Sequence, residues 1–221
     1  MMNKISILPS IFGADFYKLP ETIKLIEKLK IDAIHYDIMD NHYVPNISFG
    51  AKISQDIMKR TKLSAHFHFM IELSENPELT LKQFLKLKIE HYTFHIENDN
   101  NILENYFQFF EKKGKKIGLS LKPNTNIELI KPYLDRIDLI LVMSVEPGFS
   151  GQKFMNASLI RIEKIKNLIE NRNIVIQVDG GINRKNYKDV LKAGATSLVI
   201  GSAFYEDKNI KSLIDEIRNF N

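Results

Sequence analysis

Short apolar runs alternate with amphipathic stretches along the whole chain, and this alternation predicts repeated strand–helix units. The runs rich in β-branched and aromatic residues predict eight strands, at Ile5–Pro9, Ala33–Met39, Leu63–Met70, His91–His95, Ile117–Leu121, Leu139–Met143, Ile174–Val178 and Ser197–Ile200. Between them, apolar residues recur at helical spacing, which predicts helices, for example at Leu19–Lys30, Ala51–Arg60, Asn101–Lys113, Ser158–Asn171 and Arg184–Ala193, with a closing helix near Lys208–Asn219. Gly114 and Gly194 stand where two of these helices should stop.

This pattern predicts eight parallel strands and eight helices. That count in 221 residues is slightly lean for a TIM barrel but within its range. An open doubly wound sheet usually has fewer strands, and no G-x-G-x-x-G turn follows the first strand. We find no linker, repeat or low-complexity segment. We therefore expect an α/β fold, one (β/α)8 TIM barrel forming a single catalytic domain over residues 1–221.

Composition and charge exclude several classes of protein. No apolar stretch approaches the length of a membrane-spanning helix, and residues 1–6 leave no room for a secretory signal before the first strand. The absence of cysteine excludes disulfides and thiolate sites and fits a cytoplasmic protein. The net charge of +4 comes from lysines scattered over predicted helices, which indicates solvated helix faces. We expect no nucleic-acid or membrane partner, and the sequence is compatible with a homo-oligomer.

Polar residues at the ends of three predicted strands suggest a metal site. His35 and Asp37 share one face of the second strand, His66 and His68 share one face of the third, and Asp179 ends the seventh. Imidazoles and carboxylates at the top of one barrel suit a divalent metal of borderline character, such as Zn, Fe or Mn. Taken singly, such a histidine is more often hydrogen-bonded to a loop, and such an aspartate often caps a helix. The pattern by itself leaves both interpretations open.

Three glycine-containing loops suggest a phosphate site. They follow strands six, seven and eight, and they contain Gly148, Gly151, Gly180, Gly181 and Gly201. Glycine lets backbone N–H groups surround an anion, and the loops after the last two strands of a barrel are a recurrent phosphate site. The alternative is that these glycines only form tight turns.

Several short motifs follow one another along the chain in a recognisable order. They are Ile7-Leu8-Pro9-Ser10, Ala14-Asp15-Phe16, His35-Tyr36-Asp37-Ile38-Met39-Asp40, His42-Tyr43-Val44-Pro45-Asn46, His68-Phe69-Met70, Val142-Met143-Ser144-Val145-Glu146-Pro147-Gly148-Phe149, Gln177-Val178-Asp179-Gly180-Gly181-Ile182 and Gly201-Ser202. Together they are highly specific, and over essentially the whole chain the sequence resembles ribulose-phosphate 3-epimerases.

The resemblance implies an isomerase of pentose phosphate metabolism that needs one divalent cation (Zn, Fe, Mn or Co). Its metal residues would be His35, Asp37, His68 and Asp179, with Asp37 the proton acceptor and Asp179 the proton donor. It implies sugar-phosphate contacts from Ser10, His68, Met39, Met70, Met143, Gly148, Phe149, Ser150, Gly151, Asp179, Gly180, Gly181, Gly201 and Ser202. For Met70, ordinary core packing is an equally good explanation.

The chemistry explains this set of residues. A C–H beside a ketone is a very weak acid, and its loss leaves an enediolate that a cation stabilises. Inversion removes the proton from one face and returns one to the other, which requires two carboxylates on opposite sides.

The sequence departs from the family pattern at three positions. Asn41 and Ser150 each replace a usual glycine; Asn tolerates positive φ, and Ser150 adds a hydroxyl to the phosphate loop. His66 stands where the family usually has aspartate, a change that bears on the substrate and on catalytic efficiency. Because His66 faces inward beside His68, we expect it to be a hydrogen-bond partner of the metal cluster and not a fifth ligand.

Three alternative functions remain at this stage. The nearest is a 3-epimerase of a ketohexose 6-phosphate such as D-allulose 6-phosphate, although the Gln177–Ile182 motif favours the pentose substrate. A non-catalytic sugar-phosphate-binding relative would be consistent with His66, but all four metal residues are retained. A barrel that binds nucleic acid through surface lysines would bind weakly and lose that binding with added salt.

Overall fold

Eight parallel strands form the centre of the protein, whose computed structural model describes residues 5–220. The strands are β1 Ser6–Pro9, β2 Ala33–Met39, β3 Ser64–Met70, β4 His91–His95, β5 Ile117–Leu121, β6 Ile137–Met143, β7 Val175–Asp179 and β8 Ser197–Ile200. They pair in the order β1-β8-β7-β6-β5-β4-β3-β2, and a parallel bridge between Ser10 and His35 brings β1 against β2. The predicted (β/α)8 TIM barrel is confirmed.

Helices follow most of the strands and cover the outside of the barrel. They are α1 Leu19–Lys28, α2 Ala51–Met58, α3 Pro77–Leu81, α4 Asn100–Glu111, α5 Ala157–Ile169, α6 Tyr187–Ala193, α7 Ser202–Glu206 and α8 Ile210–Arg218. Residues 5–220 contain eight α-helices, the number expected. They are not distributed as one helix after each strand, however. The β5–β6 connection contains a 3-10 helix, Ile127–Tyr133, and both α7 and α8 follow β8. Pro132 lies inside that 3-10 segment, where it removes a backbone donor that an α-helix would need.

The two faces of each strand have different surroundings. On β3, Phe67 and Phe69 point outward and pack on Phe84 of the surrounding layer. Positions two residues apart share the other face, so His66 and His68 point into the barrel. Leu139, Leu141 and Met143 of β6 form an apolar cluster that fills part of the interior. Because fully burying such a side chain contributes about 1.5–3 kcal/mol, this packing holds the strand ends at fixed positions.

Three positions with positive φ behave as the sequence predicts. Gly114 and Gly194 follow α4 and α6 with φ of 64° and 119°, which is the conformation that ends a helix. Asn41, which follows β2, has φ 63°. Asparagine tolerates this left-handed conformation better than most residues do.

No helix within residues 5–220 is both long and apolar enough to cross a membrane. The expectation that residues 1–6 contain no secretory signal is not tested, because Met1 to Lys4 lie outside the described residues.

Candidate active site

Four side chains meet at the C-terminal ends of three strands. His35 and Asp37 come from β2, His68 from β3 and Asp179 from β7, and one ligand atom from each lies within 4.8 Å of the others. Asp37 Oδ1 is 3.2 Å from both His35 Nε2 and His68 Nδ1. Asp179 Oδ2 is 3.7 Å from His35 Nε2 and 3.9 Å from His68 Nδ1. All four predicted metal residues are thus brought together.

The donor set fits a divalent cation. His35 and His68 are almost fully buried, and Asp37 is buried with them. Neither ring nitrogen of His35 has a hydrogen-bond partner among the described residues, an arrangement that costs free energy in a protein interior. A cation between two imidazoles and two carboxylates would use these nitrogen lone pairs and offset the negative charges.

A chain of hydrogen bonds determines which nitrogen of His68 faces the cluster. Glu97 Oε2 is 2.9 Å from His95 Nδ1, and His95 Nε2 is 2.8 Å from His68 Nε2. Burial by itself would raise the pKa of Glu97, but hydrogen bonds, chiefly from His95, outweigh it and lower the pKa to about 2. The ionised Glu97 accepts the Nδ1–H of neutral His95, whose Nε2 then accepts from His68 Nε2–H. The lone pair of His68 Nδ1 is therefore directed toward Asp37 and Asp179.

The carboxylate of Glu97 has further partners. It accepts hydrogen bonds from the Tyr43 hydroxyl at 2.9 Å, from the Lys122 amide at 2.7 Å and from the Thr125 hydroxyl. Loops after β2 and β5 are thereby attached to the histidine chain, which fixes the orientation of the His68 ring.

The two carboxyl groups of the cluster have opposite pKa shifts. Burial alone would raise the pKa of Asp37, but the charge of the neighbouring His35 outweighs burial and holds this pKa far below its ordinary value. Burial, and then the charge of Asp37, raise the pKa of Asp179 to about 7. A pair whose environments separate their pKa values is suited to one base and one acid.

The Asp37 carboxylate is also positioned by β1. Ser10 Oγ donates a hydrogen bond of 2.5 Å to Asp37 Oδ2, and the Tyr205 hydroxyl donates one of 2.9 Å to the Ser10 carbonyl. Ser10 therefore lies against the proposed proton acceptor and at the wall of the cavity described next.

A cavity of about 380 Å³ opens directly above the cluster. Its inner wall contains Asp37, Asp179 and the three predicted methionines, Met39, Met70 and Met143. Every predicted loop residue also lines it: Gly148, Phe149, Ser150, Gly151, Gly180, Gly181, Gly201 and Ser202. Of the predicted site residues, His35 and His68 lie below the cavity wall, as buried members of the cluster.

Two of the loop glycines are required by close packing. A Cβ on Gly180 would lie 2.5 Å from Val145 Cγ2, and one on Gly181 would lie 2.5 Å from the Phe154 amide nitrogen. Both have positive φ, of 116° and 65°. By contrast, the nearest atom to a Cβ on Gly201 is Ser150 Oγ at 3.9 Å, so a side chain there would project into the cavity.

Sequence reasoning missed His95 and Glu97. The signal was present, because His95 is a polar residue at the C-terminal end of a predicted strand, as His68 and Asp179 are. The cavity wall also includes Glu146 and Gln152 of the glycine loop after β6, and Phe12, Lys153 and Asn183, which no motif singled out.

His66 is not a fifth member of the metal cluster, as expected, but the expectation that it is a hydrogen-bond partner of that cluster was wrong. Its nearest charged partner is Glu90, at 3.8 Å, and its ring lies 4.4 Å from that of His91. The inward direction was correct, but residues two apart on a strand differ by about 6–7 Å along it. His66 therefore lies toward the other end of the barrel, and burial lowers its pKa to about 4.

Comparisons with known proteins agree with this geometry. The family model described as the ribulose-phosphate 3 epimerase family matches residues 6–205. A ribulose-phosphate 3-epimerase of Bacillus subtilis is 38% identical over 217 residues, covering 97% of this chain and 98% of the relative. A ribulose-phosphate 3-epimerase of Buchnera aphidicola subsp. Baizongia pistaciae is 38% identical, covering 100% of this chain and 99% of the relative. The crystal structure of 3-hexulose-6-phosphate synthase from Salmonella typhimurium shares the fold, with TM-score 0.68, 15% identity and 98% coverage of each chain.

Proposed function

The chain belongs to the ribulose-phosphate 3 epimerase family, and from that membership we propose that it interconverts D-ribulose 5-phosphate and D-xylulose 5-phosphate. It is an isomerase that inverts the configuration of the carbon next to the ketone. The observation that carries the proposal is the pair of carboxyl groups, Asp37 and Asp179, at the floor of a cavity lined by glycine loops.

We propose that His35, Asp37, His68 and Asp179 hold one divalent cation, with Zn, Fe, Mn and Co as candidates. The two histidines offer neutral nitrogen lone pairs, and the His95–Glu97 pair keeps the His68 lone pair directed at the cluster. When bound, the cation supplies positive charge that stabilises the oxyanion developing on the ketone oxygen.

Asp37 is proposed as the proton acceptor and Asp179 as the proton donor in one direction of the reaction. Asp37 has the depressed pKa and is ionised, so it takes the proton from the carbon. The pKa of Asp179 is raised to about 7, a range in which a carboxyl group can both take up a proton and return one to the opposite face. In the reverse direction the two residues exchange roles. The Ser10 hydroxyl orients the Asp37 carboxylate and is itself within reach of the sugar.

The phosphate is proposed to lie against the three glycine loops, at Gly148 to Gly151, Gly180 and Gly181, and Gly201 and Ser202. Backbone N–H groups that surround an anion without side chains in the way suit a phosphate dianion. Met39, Met70 and Met143 supply an apolar wall that keeps water from the reacting carbon.

Substrate turnover tests this proposal. With ribulose 5-phosphate and D-allulose 6-phosphate assayed side by side, we expect kcat/KM to favour the pentose by at least about 10-fold. Preference for the hexose would support the alternative epimerase, and binding without turnover of either would support a non-catalytic relative. Three further expectations stay predictions: a cytoplasmic location, a single domain over residues 1–221, and self-association. Light scattering would measure self-association.

A further inference from the structure

A second group of potential metal ligands lies at the opposite end of the barrel. His66 is near the start of β3, His91 begins β4, Glu90 precedes it directly, and Asp138 is near the start of β6. His66 and His91 are register partners on adjacent strands, and their ring centroids are 4.4 Å apart. We call these four residues the lower cluster. None of them lines the cavity above the active site.

The spacing of three of these side chains fits a single ion. Glu90 Oε2 is 3.8 Å from His66 Nε2, and Glu90 Oε1 is 3.9 Å from His91 Nε2. One ligand atom from each of the three residues lies within 4.8 Å of the other two. Two ligand atoms at about 2.1 Å from one tetrahedral ion are separated by about 3.4 Å. The Glu90 side chain is 51% exposed, so it has room for the small movement that closes this difference.

The fourth residue, Asp138, directs the His91 ring. Asp138 Oδ1 faces His91 Nδ1 at 3.3 Å and has no hydrogen-bond partner among the described residues. A carboxylate beside Nδ1 favours the proton on that nitrogen and leaves the lone pair on Nε2, the atom nearer Glu90. A carboxylate that orients a histidine whose other nitrogen binds metal is a recurrent arrangement.

These two independent features, spacing and ring orientation, point to a ligand. We propose that His66 Nε2, Glu90 and His91 Nε2 form a second binding site for a divalent transition metal, with Asp138 fixing the His91 tautomer. Two nitrogens and one carboxylate select Zn or Co over Mg or Ca, which prefer all-oxygen ligands. Water completes the coordination, because Glu90 and Asp138 are open to solvent.

The position of the site determines its role. Catalytic groups of TIM barrels lie at the C-terminal ends of strands, whereas the N-terminal ends contribute to stability. An ion on His66 and His91 joins β3 to β4, and the second partner of the His91 ring lies on β6. The second site is therefore structural, and it adds to the proposed function without depending on it.

Metal counting with zinc or cobalt alone tests the site. The chelated and desalted protein should bind two ions per chain, by titration calorimetry and elemental analysis. Glu90→Gln should weaken one of the two by at least about 10-fold and leave the other, along with epimerase activity, unchanged. The matched control is Glu78→Gln, at an exposed glutamate on α3, and this variant should bind two ions per chain. Asp138→Asn keeps all three ligands and should weaken the same ion by about 10-fold.

Nitrogen NMR of the histidine rings gives the second readout. Adding the second equivalent of zinc should shift Nε2 of both His66 and His91, and in Glu90→Gln it should not. One ion per chain in the unaltered protein overturns the proposal. So does a second ion that Glu90→Gln retains or that leaves both rings unshifted, since that result means an adventitious ion only.

Discussion

At the residue scale, the two aspartates of the active site differ through the charges beside them. Asp37 lies between two histidines and accepts from Ser10, whereas Asp179 is farther from both rings and close to the negative charge of Asp37. Replacing either by Asn should reduce epimerisation by about 10²–10⁴-fold, because each direction needs a base and an acid. Each variant nevertheless keeps one carboxylate, and this carboxylate faces the exchangeable proton of only one of the two epimers.

The two variants should therefore label different epimers in deuterated water. With metal retained, Asp37→Asn exchanges the proton that faces Asp179, and Asp179→Asn exchanges the opposite one, both without interconversion. Proton NMR of each substrate epimer measures this, with metal content determined on the same samples. If both variants hold metal and label the same epimer, the two-carboxylate mechanism is wrong for this protein.

The raised pKa of Asp179, about 7, makes metal binding pH-dependent. This pKa lies above the ordinary aspartate value of 3.8. Asp179 therefore stabilises the folded, metal-free protein below about pH 4, and this contribution is lost as the pH rises through about 7. The pKa of His35 is also raised, because its burial, which would lower the pKa, is outweighed by the negative charges of Asp37 and Asp179. A cation must displace these protons.

We therefore expect metal binding to release more protons at about pH 6 than at about pH 8.5. Calorimetry in buffers of different ionisation enthalpy counts them, and Glu90→Gln protein restricts the count to the active site. Equal release at both pH values would mean that Asp179 is ionised throughout.

His95 should control metal affinity without touching the metal. His95→Phe removes the acceptor for His68 Nε2–H, and we expect the active-site ion to bind about 10–100-fold more weakly. His95→Gln keeps a hydrogen-bond acceptor and a donor, and its affinity for the metal should fall less. His42→Gln, at an exposed histidine outside the chain of hydrogen bonds, should have no effect. Equal affinity in the Phe and Gln variants would argue against the tautomer assigned to His68.

At the element scale, the loops after β6, β7 and β8 form the wall proposed to hold the phosphate. Gly201→Val should raise the Kd for phosphorylated sugar by at least about 10-fold while the protein stays folded, because its Cβ enters the cavity. Gly50→Val, at a glycine with no atom within 4 Å of its Cβ, is the control. Gly181 is a poorer test, since a Cβ there meets the backbone of Phe154. Normal binding by folded Gly201→Val would place the phosphate elsewhere.

The sequence predicts most strands closely because their apolar runs are continuous. β6 begins at Ile137 and not Leu139, because polar Asp138 interrupts the run without interrupting the strand. β7 reaches Asp179 because an inward-facing carboxylate at a barrel mouth still continues the ladder. The 3-10 segment Ile127–Tyr133 was not predicted, since short helices lack a full periodic stripe.

The convergence of the active-site residues was predictable, whereas the destination of His66 was not. Strand periodicity gives the face of a residue but not its height in the barrel, which depends on strand stagger. His66 and His68 share a face, yet one joins Glu90 and His91 and the other joins Asp37. The same limitation hid the His68–His95 contact, because it depends on how β3 and β4 are aligned.

At the scale of the whole molecule, one barrel carries two groups of potential metal ligands at opposite ends. The upper group lies below the cavity and is proposed to be catalytic, and the lower group joins neighbouring strands. Removing both ions should affect stability and turnover through different sites. Glu90→Gln separates the two effects, since it alters only the lower group.

The central claim is that turnover needs an ion on His35, Asp37, His68 and Asp179. The most direct measurement is the rate of conversion of ribulose 5-phosphate to xylulose 5-phosphate by Glu90→Gln protein, in parallel with its metal content. We expect chelation to abolish turnover and one equivalent of a divalent ion per chain to restore it. Full turnover in a preparation that elemental analysis finds free of metal would contradict the account.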